Sequence, residues 1–164
     1  MKRLLVDLEV CRLCKKCTAE CSYFYHPGNK GFITVLESAT RAEICRKCEE
    51  APCVAACPRE ALEKEADSIV RRFTMRCVGC NTCVLACPFG AIHPEIIPYL
   101  GSQCDYCADR LNGEQEPLCV RTCPEGALKY LEIDESTEKN IRSVGDKLVV
   151  HSIAWRADKL DKKP

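Results

Sequence analysis

Sixteen of the 164 residues are cysteine, and every one falls into a group of four. The groups are Cys11, Cys14, Cys17 and Cys21; Cys45, Cys48, Cys53 and Cys57; Cys77, Cys80, Cys83 and Cys87; and Cys104, Cys107, Cys119 and Cys123. In the last three groups the final cysteine is followed by proline, at Pro58, Pro88 and Pro124. Groups one and three have the spacing C-x2-C-x2-C-x3-C, a run of thiolates that ligates 4Fe–4S clusters, and group three completes it with its proline. Four such groups imply four 4Fe–4S clusters with every iron held by cysteine. The chemistry is the movement of single electrons. With no iron left open, substrate chemistry at these sites is not expected, and the chain is read as non-catalytic.

Three cysteines spaced by two residues can wrap one cubane, each sulfur reaching a different iron. The fourth corner lies beyond the same loop, and in two-cluster proteins the cysteine of Cys-Pro ligates the neighbouring cluster. Groups therefore exchange their last cysteines in pairs. Spacing alone leaves the pairing open. If groups two and three pair inside groups one and four, the ligand sets are Cys45, Cys48, Cys53 and Cys87; Cys57, Cys77, Cys80 and Cys83; Cys11, Cys14, Cys17 and Cys123; and Cys21, Cys104, Cys107 and Cys119. The other scheme is sequential, one with two and three with four. Group two has four residues between Cys48 and Cys53, and group four has eleven between Cys107 and Cys119. Wide spacing of that kind also suits zinc, which makes a zinc-stapled interaction module the remote alternative. Cys21 lacks the trailing proline and is followed by Ser22.

The elements that must hold these loops repeat. Cys57-Pro-Arg-Glu-Ala-Leu62, Cys87-Pro-Phe-Gly-Ala-Ile92 and Cys123-Pro-Glu-Gly-Ala-Leu128 share Cys-Pro, two variable residues, alanine and an aliphatic residue. Proline suits a first helical position, so a short helical turn is expected after each. Strands are expected at Lys2–Leu8, Gly31–Leu36, Ala127–Ile133 and Lys147–Ile153, with a hairpin of Leu62–Glu65 and Ser68–Phe73 turning at Ala66–Asp67. Helices should be short, the longest around Ser38–Arg46 and after Cys107 in ADRLN. IDESTEKN is expected to be a loop, followed by a final strand and a charged tail. The fold class is α+β, with the short strand, cysteine loop and short helix rhythm of a ferredoxin.

Apolar residues are 46% of the chain, but cysteine is a large part of that share, and aromatics are only 6%. The clusters are therefore expected to serve as the core, with folding dependent on iron. A secreted disulfide scaffold is the rival reading of so much cysteine. Asp7 and Glu9 interrupt any apolar run in MKRLLVDLEV, so a signal peptide is not expected, and a cytoplasmic location is. No stretch approaches the ~20 apolar residues of a membrane helix. Basic and acidic residues balance at 24 each. Each cluster with its four thiolates adds negative charge, so the loaded protein is acidic, and no nucleic-acid footprint is present.

The set CRLCKKC…C, CRKCEEAPCVAACP, CVGCNTCVLACPFGAI and CDYC…CVRTCP, over about Leu4 to Tyr130, resembles the four-cluster electron-transfer subunits of the dimethyl-sulfoxide-reductase iron–sulfur family. Such subunits also serve formate dehydrogenases, hydrogenases and carbon monoxide dehydrogenases. The resemblance implies the nested pairing: an inner ferredoxin unit over about 38–101, an outer unit over about 1–37 plus 102–133, and 134–164 as C-terminal strand and tail, all in one compact domain. It implies a relay between a catalytic oxidoreductase subunit and a second redox subunit or ferredoxin, with terminal clusters near opposite surfaces and room for end-to-end self-association. CSYFYHPGNKG (Cys21–Gly31) and ESATRAEICRKCEEAPC are similar to subunits accompanying tungsten enzymes of the aldehyde oxidoreductase family, including the tungsten-type benzoyl-coenzyme A reductases. A tungsten or molybdenum pterin enzyme is thus the partner implied; a free polyferredoxin-like carrier is the alternative.

Outside the cysteines, Tyr23-Phe24-Tyr25-His26 reads either as a docking surface or as packing over a cluster. His93 and His151 read as structural. Arg46, Lys47, Arg76 and Arg121 stand beside ligands, where positive charge raises a cluster potential, although solvated side chains are the commoner outcome. RSVGDK is too poor in glycine for a phosphate loop.

Overall fold

The computed structural model describes residues 1–22, 31–94, 103–107, 110–113 and 115–153. The chain runs β1 (Lys2–Asp7), α1 (Leu8–Cys11), α2 (Gly31–Ile44), α3 (Pro52–Ala55), β2 (Leu62–Lys64), β3 (Val70–Arg72), α4 (Thr82–Ala86), α5 (Leu118–Arg121), β4 (Leu128–Glu132), β5 (Ile141–Val144) and β6 (Leu148–His151).

Two sheets organise it. The larger has the order β4-β1-β6-β5, and β2 and β3 form a separate hairpin. β1 pairs antiparallel with β4, Val6 opposite Leu128, and parallel with β6, Val6 opposite Val150. The strand before the first cysteine group therefore lies between the strand after the fourth group and a strand from the C-terminal segment. The hairpin sits between groups two and three in sequence, with Leu62 opposite Arg72.

Alternation along β1 and β6 sends side chains to both faces. Leu4, Val6, Leu148 and Val150 pack with Val35 and Ala39 of α2 and with Leu128. Leu5 and Val149 turn to the other face and meet Ile141, Leu131 and Ile133. Val6, Leu148, Val149 and Val150 are completely buried. The hairpin region has a smaller apolar cluster: Leu62, Val70, Cys83 and Ile92, flanked by Cys53, Cys57 and Cys77.

The strands expected at Lys2–Leu8, Ala127–Ile133 and Lys147–Ile153 and the hairpin form within a residue or two of their expected bounds. Four expectations are corrected. Gly31–Leu36 is helix, as the first half of the fourteen-residue α2, which is also longer than any helix expected. The β-branched residues Ile33, Thr34 and Val35 favour a strand locally, but Val35 and Ala39 fall at i and i+4 against the sheet, and Glu37 pairs with Arg41 at the same spacing. Packing outweighs local propensity there. The segment after Leu131 gives two strands, since Ile141–Val144 pairs with β6, and IDESTEKN closes onto it through the Ser136–Ile141 bridge. The helical turns precede the Cys-Pro steps, as α3, α4 and α5, and hydrogen-bonded turns follow. The clusters are not the whole core, because the larger sheet buries aliphatic side chains of its own. Of ADRLN, Arg110–Asn112 is turn and coil, with Ala108 and Asp109 outside the described residues, as are Tyr23–His26 and the tail from Ala154. Among the described residues no helix is long and apolar enough to cross a membrane.

Truncating Leu148 in the middle of the larger sheet should lower unfolding free energy by about 2–5 kcal/mol, whereas Leu85→Ala at an exposed position should stay within about 0.5 kcal/mol. Thermal unfolding of the iron-loaded protein checks both.

Candidate metal centres

Three of the four cysteine loops, those of groups two, three and four, are built on backbone that side chains rarely adopt. Lys47, Ala51, Asn81, Tyr106 and Cys107 have positive φ, between 42° and 59°. Ala51 and Asn81 stand at the starts of α3 and α4, so the left-handed residue reverses the chain between the second and third cysteines of groups two and three. Such conformations cost about 1 kcal/mol or more apiece and are retained where surroundings enforce them.

The Cys-Pro repeat has a common geometry. The fourth residue of each repeat donates its N–H to the cysteine carbonyl: Glu60 to Cys57 at 3.2 Å, Gly90 to Cys87 at 3.4 Å and Gly126 to Cys123 at 3.3 Å. All three donors have positive φ, which explains glycine at two of them. The alanine that follows donates to sulfur in two repeats, Ala61 to Cys57 Sγ at 3.2 Å and Ala91 to Cys87 Sγ at 3.4 Å. These donors stabilise negative charge on sulfur.

The sixteen cysteines, none in a disulfide, gather across groups. Cys57 of group two lines one cavity with Cys77, Cys80 and Cys83 of group three. Cys87 of group three lines another with Cys45, Cys48 and Cys53 of group two. α3 and α4 pack against each other, and α3 also packs on β2, which brings the two rims side by side.

The remaining groups meet through the larger sheet. Cys11 ends α1, whose first N–H groups, from Glu9 and Val10, are capped by Asp7 Oδ1 at 3.0 and 3.2 Å. Burial pushes the Cys11 thiol up, and negative charge on Cys14, Cys17 and Cys123 pushes it further. The loop is tied to α5 by Glu20 N–H, which donates to Thr122 Oγ1 at 2.9 Å. Burial raises the Cys104 thiol to about 12, against an opposing hydrogen bond from Tyr106 N–H at 3.3 Å. Burial likewise raises Cys119 to about 11, with Cys107 and Cys21 adding to it. Cys21 and Cys107 thus lie close to Cys119, and Ser22 Oγ is 3.9 Å from Cys107 Sγ.

Two thiols of the inner rims behave alike. Cys53 is raised by burial and then by Cys87, and Cys83 by burial, with Arg41 opposing. Cys80 goes the other way: it is exposed, and the Thr82 hydroxyl at 3.3 Å together with the Thr82 N–H lowers it. Among the described residues no three His, Cys, Asp or Glu side chains are gathered to hold a single metal ion. The sulfurs of groups two and three line cavities shared between the two groups.

Positive side chains beside the ligands have separate duties. Arg76 pairs with Glu63 and lies over the Phe73 ring at 4.3 Å, so it is a structural contact. Arg46 lines the Cys45 cavity, whereas Arg121 lines an open groove with Ser22 and Arg110. Lys47 is exposed. His151 Nδ1 stands 3.1 Å from Asp7 Oδ1 across the sheet, and His93 is half-buried. Sequence reading missed Arg41 and Arg72, which line the Cys45 and Cys77 cavities respectively, and Glu37, which joins them in lining a third. Their signal was available only as Glu37 and Arg41 at i,i+4, a spacing that usually marks a solvated helix face.

Comparison with known proteins agrees with this geometry. A model of the 4Fe–4S dicluster domain matches residues 36–133, and a 4Fe–4S binding domain matches residues 8–23. The chain is similar to the thiosulfate reductase electron transfer subunit PhsB of Salmonella typhi, 36% identical over 161 residues that cover 89% of this chain and 82% of that one. It is 31% identical to the putative electron transport protein YsaA of Escherichia coli over 85% of this chain and 95% of the relative. A tetrathionate reductase subunit of Salmonella typhimurium is 31% identical over 76% of this chain and 55% of its own length.

Iron ligation needs thiolates, and burial holds several of these groups as thiols. Iron uptake by metal-free chain supplied with sulfide should therefore release protons and become more complete as pH rises from about 6.5 to 8.5. The set containing Cys104 and Cys119, with thiols raised to about 12 and 11, should fill last. Visible absorption and iron analysis across that pH range check the order.

Proposed function

The chain belongs to the 4Fe–4S dicluster domain family, and on that footing we propose that it is the electron-transfer subunit of an oxidoreductase complex. Its catalytic partner in this proposal is a molybdenum or tungsten pterin enzyme. The observation that carries the reading is that Cys57 lines a cavity with Cys77, Cys80 and Cys83, and Cys87 lines one with Cys45, Cys48 and Cys53, which supports an exchange of last cysteines between the groups.

Four clusters are assigned to the nested ligand sets. Cys45, Cys48, Cys53 and Cys87 hold one, and Cys57, Cys77, Cys80 and Cys83 hold a second. Cys11, Cys14, Cys17 and Cys123 hold a third, supported by the mutual influence of these thiols on Cys11. Cys21, Cys104, Cys107 and Cys119 hold the fourth, supported by the action of Cys21 and Cys107 on Cys119. Cys21 keeps this place despite its missing proline. The pairing of β1 with β4, and of β2 with β3, supports an outer ferredoxin unit enclosing an inner one.

The bound clusters supply one-electron acceptance and donation in close series. The protein's share is to hold sixteen thiolates and aim backbone N–H groups at sulfur. Full cysteine ligation leaves no metal position for substrate, which supports a non-catalytic role. The names of the relatives, an electron transfer subunit of thiosulfate reductase and a subunit of tetrathionate reductase, support a place beside a catalytic subunit. They favour a reductase of sulfur oxyanions; the tungsten aldehyde oxidoreductase type rests on the resemblance of Cys21–Gly31 and of ESATRAEICRKCEEAPC.

Anaerobic purification with associated proteins should give about sixteen iron atoms per chain with matching sulfide. Molybdenum or tungsten in the same peak identifies the partner, and iron alone at the size of this chain would leave a free carrier. Paired substitutions test the ligand sets. Cys57→Ala with Cys80→Ala should cost one cluster, about four iron atoms, whereas Cys57→Ala with Cys48→Ala should cost two. The opposite pattern would reverse the exchange of last cysteines.

A further inference from the structure

Glu37, Arg41 and Arg72 form an ion triad that is almost completely buried, 8%, 3% and 5% exposed. Arg72 from β3 grips both Glu37 oxygens, with Nε at 2.8 and 3.1 Å and a terminal nitrogen at 2.7 Å. Arg41 pairs with the same carboxylate along α2 and donates to the Val70 carbonyl at 3.0 Å. Two guanidinium groups against one carboxylate leave one excess positive charge away from water. Burying charge is expensive, and replacing such a triad by packed apolar residues is often neutral or stabilising. Stability alone is therefore a poor account of it.

Its position supplies a better one. Arg41 lines the cavity of Cys45, Cys48, Cys53 and Cys87, and Arg72 lines that of Cys57, Cys77, Cys80 and Cys83. All three triad residues also line a third cavity that reaches Cys104 and Tyr106. Arg41 Nε and one terminal nitrogen of Arg72 have no hydrogen-bond partner among the described residues. Arg41 thus faces one cysteine rim, and Arg72 faces the other, where it interacts with Cys77. The charge is felt on both sides, since Arg41 opposes the burial-driven rise of the Cys53 and Cys83 thiols.

We propose that the Glu37–Arg41–Arg72 triad sets the reduction potentials of the two inner clusters, its single excess positive charge holding both above the value that the same cysteine rims would otherwise give. This rests on the cluster assignment proposed above. The physical basis is direct: reduction adds one electron to a site already negative, and a nearby buried cation stabilises the reduced form. Arginine keeps its charge at all working pH values, so the set point is fixed rather than switched. Sharing the cation between both rims raises the two sites together, which keeps them matched for electron exchange.

Charge and architecture separate cleanly by mutation. Arg41→Gln takes the triad from one excess positive charge to none, and Glu37→Gln takes it to two, yet both break the same contact. Potentiometric titration of the loaded protein, followed by electron paramagnetic resonance, should show two of the clusters shifted downward in Arg41→Gln and the same two upward in Glu37→Gln. Arg41→Lys should restore the wild-type values. Should Glu37→Gln fail to fold, the comparison of Arg41→Gln with Arg41→Lys still decides. Shifts of the same sign in Arg41→Gln and Glu37→Gln, or unchanged potentials with iron content intact, would overturn the proposal. A wild-type protein without 4Fe–4S signals would instead overturn the reading beneath it.

Discussion

Thiolates crowded around a cavity repel one another and lose their water, and the rest of this structure is arranged around that constraint. Burial dominates the upward shifts of Cys11, Cys53, Cys83, Cys104 and Cys119, with neighbouring cysteines adding to them. Without a cation such a rim keeps its protons. Iron reverses the balance, because a coordinated thiol is deprotonated outright. The protein prepares for the charged state with N–H donors at sulfur, as from Ala61, Ala91 and Tyr106, and with left-handed turns that could not persist in an unconstrained loop.

The two halves meet this constraint differently. The larger sheet has its own aliphatic interior, with Val6 and Leu148–Val150 sealed on both faces. The hairpin region buries few apolar side chains, and cysteines contribute to its packing directly. Removing iron takes away ligand bonds in both, but only the sheet half retains a hydrophobic reason to stay folded. The dependence of folding on metal therefore differs along the chain.

The cysteine loops were legible because their spacing is a local property. Three cysteines per loop and a Cys-Pro reaching elsewhere are written in consecutive residues, and the hairpin bounded by Leu62 and Phe73 carries its own turn. What the sequence hid was set by distant partners. Gly31–Leu36 has the residues of a strand, yet Val35 and Ala39 find the sheet at helical spacing. Ile141–Val144 follows a polar segment and becomes a strand only because β6 offers an edge. Glu37 and Arg41 have the spacing of a surface ion pair, and only the approach of Arg72 from β3 makes them interior.

The connectivity gives a reason for the position of the C-terminal segment. β1 pairs with β4 across more than a hundred residues of intervening chain, and a two-stranded antiparallel ribbon is marginal by itself. β6 adds a third strand parallel to β1, and β5 a fourth. Parallel pairing demands burial on both faces, which the run Leu148–Val150 satisfies with complete burial. The same register brings His151 opposite Asp7, the residue that caps the helix ending in Cys11. A segment without a single cysteine therefore braces the start of the first cysteine loop.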